Sequence, residues 1–318
     1  MEIVFKKTNE LSAEELNGIV ELFERVFEKH RPEEVHIRQF INNPLGYSYH
    51  SMIMDNGKIV GINTYVPVYY RVNGEKILFA NSIDSMVDKA YRDFFAYNDM
   101  VLTAYKEMKK EGVKFAYGYP NDNAFPVVTK SKLMKSIGRM GIYCLPYRIG
   151  GVKTSLGFLN PLSGFFCNLW LGISTCFASD KKFSPMVIKD AESYNATRYQ
   201  RGDADYGHAD LGNGELHYKI TNHEGVRTAF IIDIDQKSPR NFNRAVRYLL
   251  RNHSKEFDLI LYPGWLPFGN TGMIKLPRKL EPKNFNLTGK MLAKKGELPE
   301  EIWNIENWDT NLSNYDLI

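Results

Sequence analysis

The sequence is short of cysteine. Its three, Cys144, Cys167 and Cys176, are odd in number and no two stand at C-x-x-C spacing. This argues against a disulfide scaffold or a cysteine zinc site and fits a reducing compartment. An excess of either charge is lacking too: 41 Lys+Arg against 37 Asp+Glu leave +4, with the signs interspersed. That is too little and too mixed for a nucleic-acid face, so no DNA partner is expected. There is no G-x-S-x-G elbow, no Walker A sequence and no tandem G-x-G-x-x-G. The seven histidines show no H-E-x-x-H or other metal spacing, and no metal is expected. MEIVFKKTNELSAEEL at the N-terminus has no charged-then-apolar leader, which predicts a cytoplasmic protein.

One long uncharged run is present. Ser155 to Ser179 carries no Asp, Glu, Lys or Arg over a length that could span a bilayer. Asn160, Pro161, Asn168 and three glycines lower its hydrophobicity below that of an anchor. The reading is a buried connector helix, opening near Pro161 and packed between two domains, with peripheral membrane contact through 155–179 as the alternative.

Around that run the chain divides. IVFKKT predicts a strand, and the capping box Ser12-x-x-Glu15 opens a helix with Leu16, Ile19, Val20, Phe23, Val26 and Phe27 on one face. A short helix follows from Pro32 towards Phe40. Three strands, YSYHSMIM, KIVGINTYVPVYYRV and KILFANSIDSMV, are joined by Asn56-Gly57 and Asn73-Gly74, so they should be antiparallel neighbours. Next come a long helix from about Arg92 to Gly112, the strand VKFAYGYP, the loop NDN and a helix around Phe125 to Lys132. GELHYKI, GVRTAFIIDID, a helix from Ser238-Pro239 and FDLILYPGW repeat the order hairpin, helix, strand. The fold class is α+β, a mixed and mostly antiparallel sheet layered with helices, in two related halves: 1–150, an apolar connector 151–180, and 181–318.

With Ile83-Asp84-Ser85-Met86-Val87, the Tyr91-Arg92 pair and Tyr117 to Asn123 in view, the first half resembles the GCN5-related N-acetyltransferase superfamily. The second half resembles it in element order, as a tandem member. The resemblance implies acetyl-CoA as co-substrate, its pantetheine along the strand ending at Met86 and Val87. The pyrophosphate would lie in a loop matching Arg92, Asp93, Phe95 and Ala96, where backbone N–H groups and a helix dipole favour phosphate. Asn121 and Asn123 match the element that holds the cofactor arm. The loop departs from the family pattern: Phe95 stands at the first glycine and Tyr97 at the second small position. Val128 and Lys132-Leu133-Met134 depart in the later helix, where a tyrosine acid is usual.

Transfer of an acyl group to an amine needs a base for the ammonium proton and an acid for the thiolate. Asp84, between Ile83 and Met86 where desolvation would raise its pKa, is the base candidate, and Tyr119 the acid. The residues could equally cap a turn or pack as an aromatic. The Gly202 to Gly214 stretch, with Asp203, Asp205 and Asp210, lacks calcium-loop spacing and reads as a solvated loop. The basic run Lys275 to Lys290 around Phe285 reads as solvated surface or an anionic sugar or lipid-headgroup site. The expected function is acyl transfer from acyl-CoA to an amino group of a sugar or cell-envelope precursor. The alternatives are a non-catalytic binding scaffold of the same fold and an aminoacyl-tRNA-dependent peptidyltransferase.

Overall fold

The computed structural model describes residues 1–92, 94–194, 198–199 and 205–315. The chain folds into two compact units. The first comprises Met1–Gly138, Met186–Arg201 and Asn286–Asn307, and the second Arg139–Pro185, Gly202–Phe285 and Trp308–Ile318.

The first unit begins β1 (Glu2–Lys7), α1 (Ala13–Phe27), α2 (Glu33–Ile41), β2 (Tyr49–Asp55), β3 (Lys58–Val72) and β4 (Glu75–Val87). α1 starts at Ser12 because Ser12 Oγ accepts from Glu15 N at 3.1 Å while the Glu15 carboxylate accepts from Ser12 N at 2.9 Å. The hairpins close at Asn56-Gly57 and Asn73-Gly74, where all four residues have positive φ, 48°, 77°, 52° and 87°. Such turns match the twist of the flanking strands and favour Asn-Gly. The unit continues with α3 (Phe94–Lys110), β5 (Phe115–Gly118), α4 (Ala124–Lys130) and β6 (Lys135–Arg139).

Into the second unit the chain carries β7 (Gly141–Leu145), α5 (Ile149–Val152) and α6 (Asn160–Cys176). It then returns to the first unit for β8 (Val187–Lys189) and α7 (Ala191–Tyr194). Asp190 fixes that return: it is buried and receives Arg71 Nε at 2.9 Å and Lys76 Nζ at 3.1 Å from the β3–β4 hairpin. The remaining strands and helix are β9 (Gly207–Asp210), β10 (Glu215–His223), β11 (Val226–Ile234), α8 (Pro239–His253), β12 (Leu259–Gly264), β13 (Ile274–Lys275) and β14 (Asn286–Met291).

The first sheet runs β1-β2-β3-β4-β5-β14-β6 with β8 also on β3, and the second runs β13-β7-β12-β11-β10-β9. Among the described pairings each contains one parallel pair inside a mostly antiparallel frame, β4 with β5 and β11 with β12. In the first sheet, Ile19, Leu22, Phe23 and Phe40 of α1 and α2 pack with Ile62, Ile83 and Met86, while Val101, Ala104 and Met108 of α3 pack with Tyr49, Tyr65 and Ala80. These are the two helix-covered faces of an α+β layer.

Two expectations differ from this. The split at 150 and 181 does not follow the strand pairing. β7 pairs with β12, and β14 pairs with β5. Each parallel strand has a far edge to be hydrogen-bonded, and the strand that covers it comes from the other half of the sequence. Nor is the apolar helix buried. Among its described residues only Cys167, Leu171 and Ser174 are buried, while Phe158, Phe165 and Phe177 are more than half exposed. With no charged residue it has no polar face to turn outward.

Candidate functional site

The site begins with a register error in the first sheet. On the β3–β4 ladder Ile62 faces Met86 and Thr64 faces Ile83, so Asn63 alone stands against Asp84 and Ser85. The extra residue makes a β-bulge, and Asp84 takes its left-handed position at φ 43°. Aspartate is among the few residues that occupy this region without glycine, at a cost of about 1 kcal/mol. Asn63 is held in the bulge by Ser82 Oγ, which donates to its Oδ1 at 3.0 Å, and by its own Nδ2, which donates to Tyr65 Oη at 2.9 Å.

The bulge interrupts the alternation of the strand: Asp84 joins Ile83 on the α1–α2 face, and Ser85 turns to the α3 face. Asp84 Oδ2 accepts from Arg31 Nη1 at 2.9 Å and lies 4.0 Å from His36 Nδ1. Arg31 is clamped in turn, donating to Gln39 Oε1 at 3.0 Å with its guanidinium 4.0 Å from the Phe23 ring centre. His36 is wholly buried, and burial, reinforced by the Arg31 charge, pushes its pKa down to about 4. It stays neutral beside the carboxylate at physiological pH. On the other face Ser85 Oγ lies 3.2 Å from Tyr97 Oη, tying the strand to the first turn of α3. Burial raises the Tyr97 pKa, so that hydroxyl keeps its proton. Asp84 is therefore not the lone desolvated carboxylate expected between Ile83 and Met86. Its Oδ2 is anchored by a guanidinium.

Beyond the bulge β4 has left its parallel neighbour. Pairing with β5 stops at Ser82 and Gly118, and β4 runs on to Val87. Backbone from Ile83 to Val87 thus has no β-ladder partner on the β5 side among the described residues. The Met86 side chain is buried in the core, so only its backbone can meet a ligand. Arg92 Nε donates to Val87 O at 3.3 Å, stitching the turn to the end of the strand. Asp88 caps that turn, accepting from Ala90 N at 3.2 Å and from Arg25 Nε at 3.2 Å. Phe95 is 74% exposed and Ala96 packs against the Ile53, Val60 and Met100 cluster. No described residue from Ser85 to Glu111 has a positive φ, and Lys89–Tyr91 in the described part of the turn is a capped 3-10 step. Asp93 lies outside the described residues.

Tyr119 follows Gly118 directly, where β5 and β4 part. It is half-buried, its ring edge-on to Tyr117 at 6.2 Å. Asn121 Oδ1 accepts from Asn123 N at 3.1 Å and Ala124 N at 2.9 Å, so the two asparagines build the start of α4. The fold brings Asp84, Met86, Val87, Arg92 and Ala96 to one end of β4, and Tyr119, Asn121 and Asn123 to the exit of β5. Arg31, His36 and the Ser85–Tyr97 contact were missed by sequence reasoning. An aspartate inside an apolar strand was the only signal, and its partners lie about fifty residues away.

The second unit repeats the parallel pair with a different end. β11 and β12 separate after Phe230 and Leu261, and the chain's last segment enters between them. Asn311 bridges to Gly264 on β12, and its Nδ2 donates to Asp233 Oδ1 on β11 at 2.6 Å. Thr310 O accepts from Trp265 N at 3.1 Å, and Ser313 Oγ donates to Asp233 Oδ2 at 3.3 Å. This unit also pairs His208 on β9 with His217 on β10, their Nδ1 atoms 2.9 Å apart, with Glu215 Oε1 3.5 Å from His208 Nδ1. The three could offer ligand atoms to a divalent cation. Strand register, not spacing, assembles them.

Residues 7–127 match the family model for the acetyltransferase (GNAT) domain. None of the curated proteins matches the sequence. Among solved structures the chain is similar to a conserved protein of unknown function, a probable N-acyltransferase, from Enterococcus faecalis V583. The identity is 10%, the match covers 92% of this chain and 73% of that one, and the TM-score is 0.58. A GCN5-related N-acetyltransferase from Anabaena variabilis is similar at 12% identity, covering 91% and 73%, with TM-score 0.58. One from Kribbella flavida is similar at 10% identity, covering 92% and 72%, also at 0.58. At such identities the likeness is one of fold.

Proposed function

We propose, from a chain whose residues 7–127 form a GNAT acetyltransferase domain, that the protein transfers an acyl group from acyl-CoA to a primary amine at the end of β4. The observation that carries the reading is the bulge at Asp84, which puts a carboxylate where two parallel strands diverge, beside strand backbone that no described residue ladders onto from the β5 side.

Acyl-CoA suits these residues. The backbone of Met86 and Val87 offers hydrogen-bonding groups to its amide-bearing arm, and the N-terminus of α3 offers helix-dipole attraction to its phosphates. Bound there, it supplies an activated acyl thioester. Asp84 takes the proton released when the amine nitrogen bonds to the acyl carbon, and Arg31 holds the carboxylate at Oδ2 while it does so. The Tyr119 hydroxyl gives a proton to the departing sulfur. The acceptor is an amine carried on a sugar or a related cell-envelope precursor, a choice that rests on the resemblance.

Calorimetry with acetyl-CoA, together with an acyl-transfer assay over a panel of amino sugars and simple amines, tests this. Asp84→Asn should leave acetyl-CoA binding in place and lower kcat/KM by about a hundredfold, the low end for loss of a general base. An unchanged rate in Asp84→Asn would remove Asp84 from the chemistry. No binding and no transfer by the wild type would favour the non-catalytic scaffold.

A further inference from the structure

The most unusual surface lies in the second unit, on the stretch Thr154–Cys176. Among the described residues it is the one helix long and apolar enough to cross a membrane by length and composition. A surface helix in a water-soluble domain ordinarily turns polar residues outward. This one does the reverse: Phe158 is 78% exposed, Phe165 63%, Phe166 55%, Leu169 49%, Trp170 42% and Phe177 72%. Leu162 and Ile173, also exposed, fall in the gaps, so that from Phe158 to Phe177 exposed apolar side chains recur at spacings of three and four and form one band.

Its other side is bound to the domain by polar contacts as well as packing. Ser163 Oγ donates to Pro146 O at 2.6 Å, Gly272 N donates to Ser174 Oγ at 2.9 Å, and Arg247 Nη2 donates to Thr175 Oγ1 at 3.1 Å. A helix crossing a bilayer would have to break these bonds, with no water there to replace them. The helix can meet lipid on one side only.

Charge decides between lipid and a second copy of the chain. Lys153 precedes the band, and Lys181 and Lys182 follow it, all exposed. Ile274, 47% exposed, joins Leu145, Phe166, Cys167, Trp170 and Ile173 around an apolar pocket of about 370 Å³, and exposed Lys275 comes directly after it, with exposed Lys279 further along. A two-fold pair of such bands would set lysines against lysines whether the helices ran parallel or antiparallel. An anionic bilayer meets both features at once: aromatic and aliphatic side chains enter the headgroup boundary while the flanking lysines rest on phosphate.

We propose that this face docks the protein, helix in plane, on anionic lipid bilayers. The inference uses only the second unit, and a failure of acyl transfer in the first would leave it standing.

The test is flotation of the full-length protein with vesicles of phosphatidylglycerol mixed into phosphatidylcholine, and with phosphatidylcholine alone. Binding to the anionic vesicles is expected, weakening as salt rises, with a blue shift in tryptophan emission from Trp170. Phe158→Ser with Phe165→Ser should lower partition by at least about tenfold. Because both rings are exposed, its melting temperature should stay that of the wild type. Lys181→Glu with Lys182→Glu should lower binding to anionic vesicles and reduce its salt dependence. No flotation with either vesicle would overturn the proposal. So would a lipid-free dimer by light scattering that Phe158→Ser with Phe165→Ser dissociates, since the face would then belong to a second copy.

Discussion

The two parallel strand pairs, β4 with β5 and β11 with β12, are the same device with opposite outcomes. Both separate after three or four paired residues and leave a wedge between strands. In the second unit the wedge is filled from within. Asn311 and Ser313 bond to Asp233, and Lys237, itself buried, lies 2.6 Å from Asp233 and 2.8 Å from Asp309. In the first unit the corresponding stretch carries the Asp84 bulge, and no described segment ladders onto its β5 side. A shared architecture therefore yields one wedge filled from within and one that no described strand enters.

The largest effect should come from breaking the filled wedge. Lys237→Met removes a cation that the Asp233 and Asp309 carboxylates share, leaving the buried Asp233 and the half-buried Asp309 without it. The expected loss is about 3–5 kcal/mol, measured by thermal and urea unfolding. Burial works against the charge on Lys237, but the two carboxylates outweigh it and raise its pKa. That stabilisation is complete below the ordinary lysine value of 10.5 and fades as pH rises through the higher folded value. If unfolding were unmoved in Lys237→Met, the wedge would not be a stability element.

The first unit should fail from the acid side. His36 has its pKa lowered from 6.5 to about 4 by burial and by Arg31, with Glu24 opposing weakly. The unfolded chain therefore binds a proton that the folded one refuses. Stability is complete above about 6.5 and declines as pH falls towards 4, by roughly 3 kcal/mol over that window. His50, fully buried between Thr8 and Thr64, is lowered to about 3 and extends the loss to lower pH. Urea titrations between pH 7 and pH 4 should show the slope, and His36→Gln should flatten its upper part. An equally steep slope in His36→Gln would assign the acid sensitivity elsewhere.

What could be read from the sequence was local. The Ser12–Glu15 box, the two Asn-Gly turns and the Ser238-Pro239 helix start each depend on residues within four positions of one another, and each forms as expected. What escaped depends on register and distance. The bulge at Asp84 exists only because Asn63 faces two residues. His208 meets His217 only through a strand pair, and Asn311 fills its wedge from the far end of the chain. The strand exchange of β7 and β14 escaped for the same reason. An uncharged helix misled differently: apolar composition implies burial, yet nothing within residues 155–179 specifies what covers them.

The smallest structural change bears on the open wedge. Phe95 is 74% exposed in the first turn of α3, so Phe95→Gly removes little packing and should cost at most about 0.5 kcal/mol through helix propensity. Its effect on ligand binding should be larger than its effect on folding. Phe95 itself has no positive φ, so a glycine is not required by the backbone at that position and would change the approach to the helix N-terminus. Titration calorimetry should show acetyl-CoA binding more tightly to Phe95→Gly than to the wild type. Equal affinities would mean that the aromatic ring leaves the phosphate approach clear, and that any ligand at this turn is met by backbone positioned by Asp88 and Arg92.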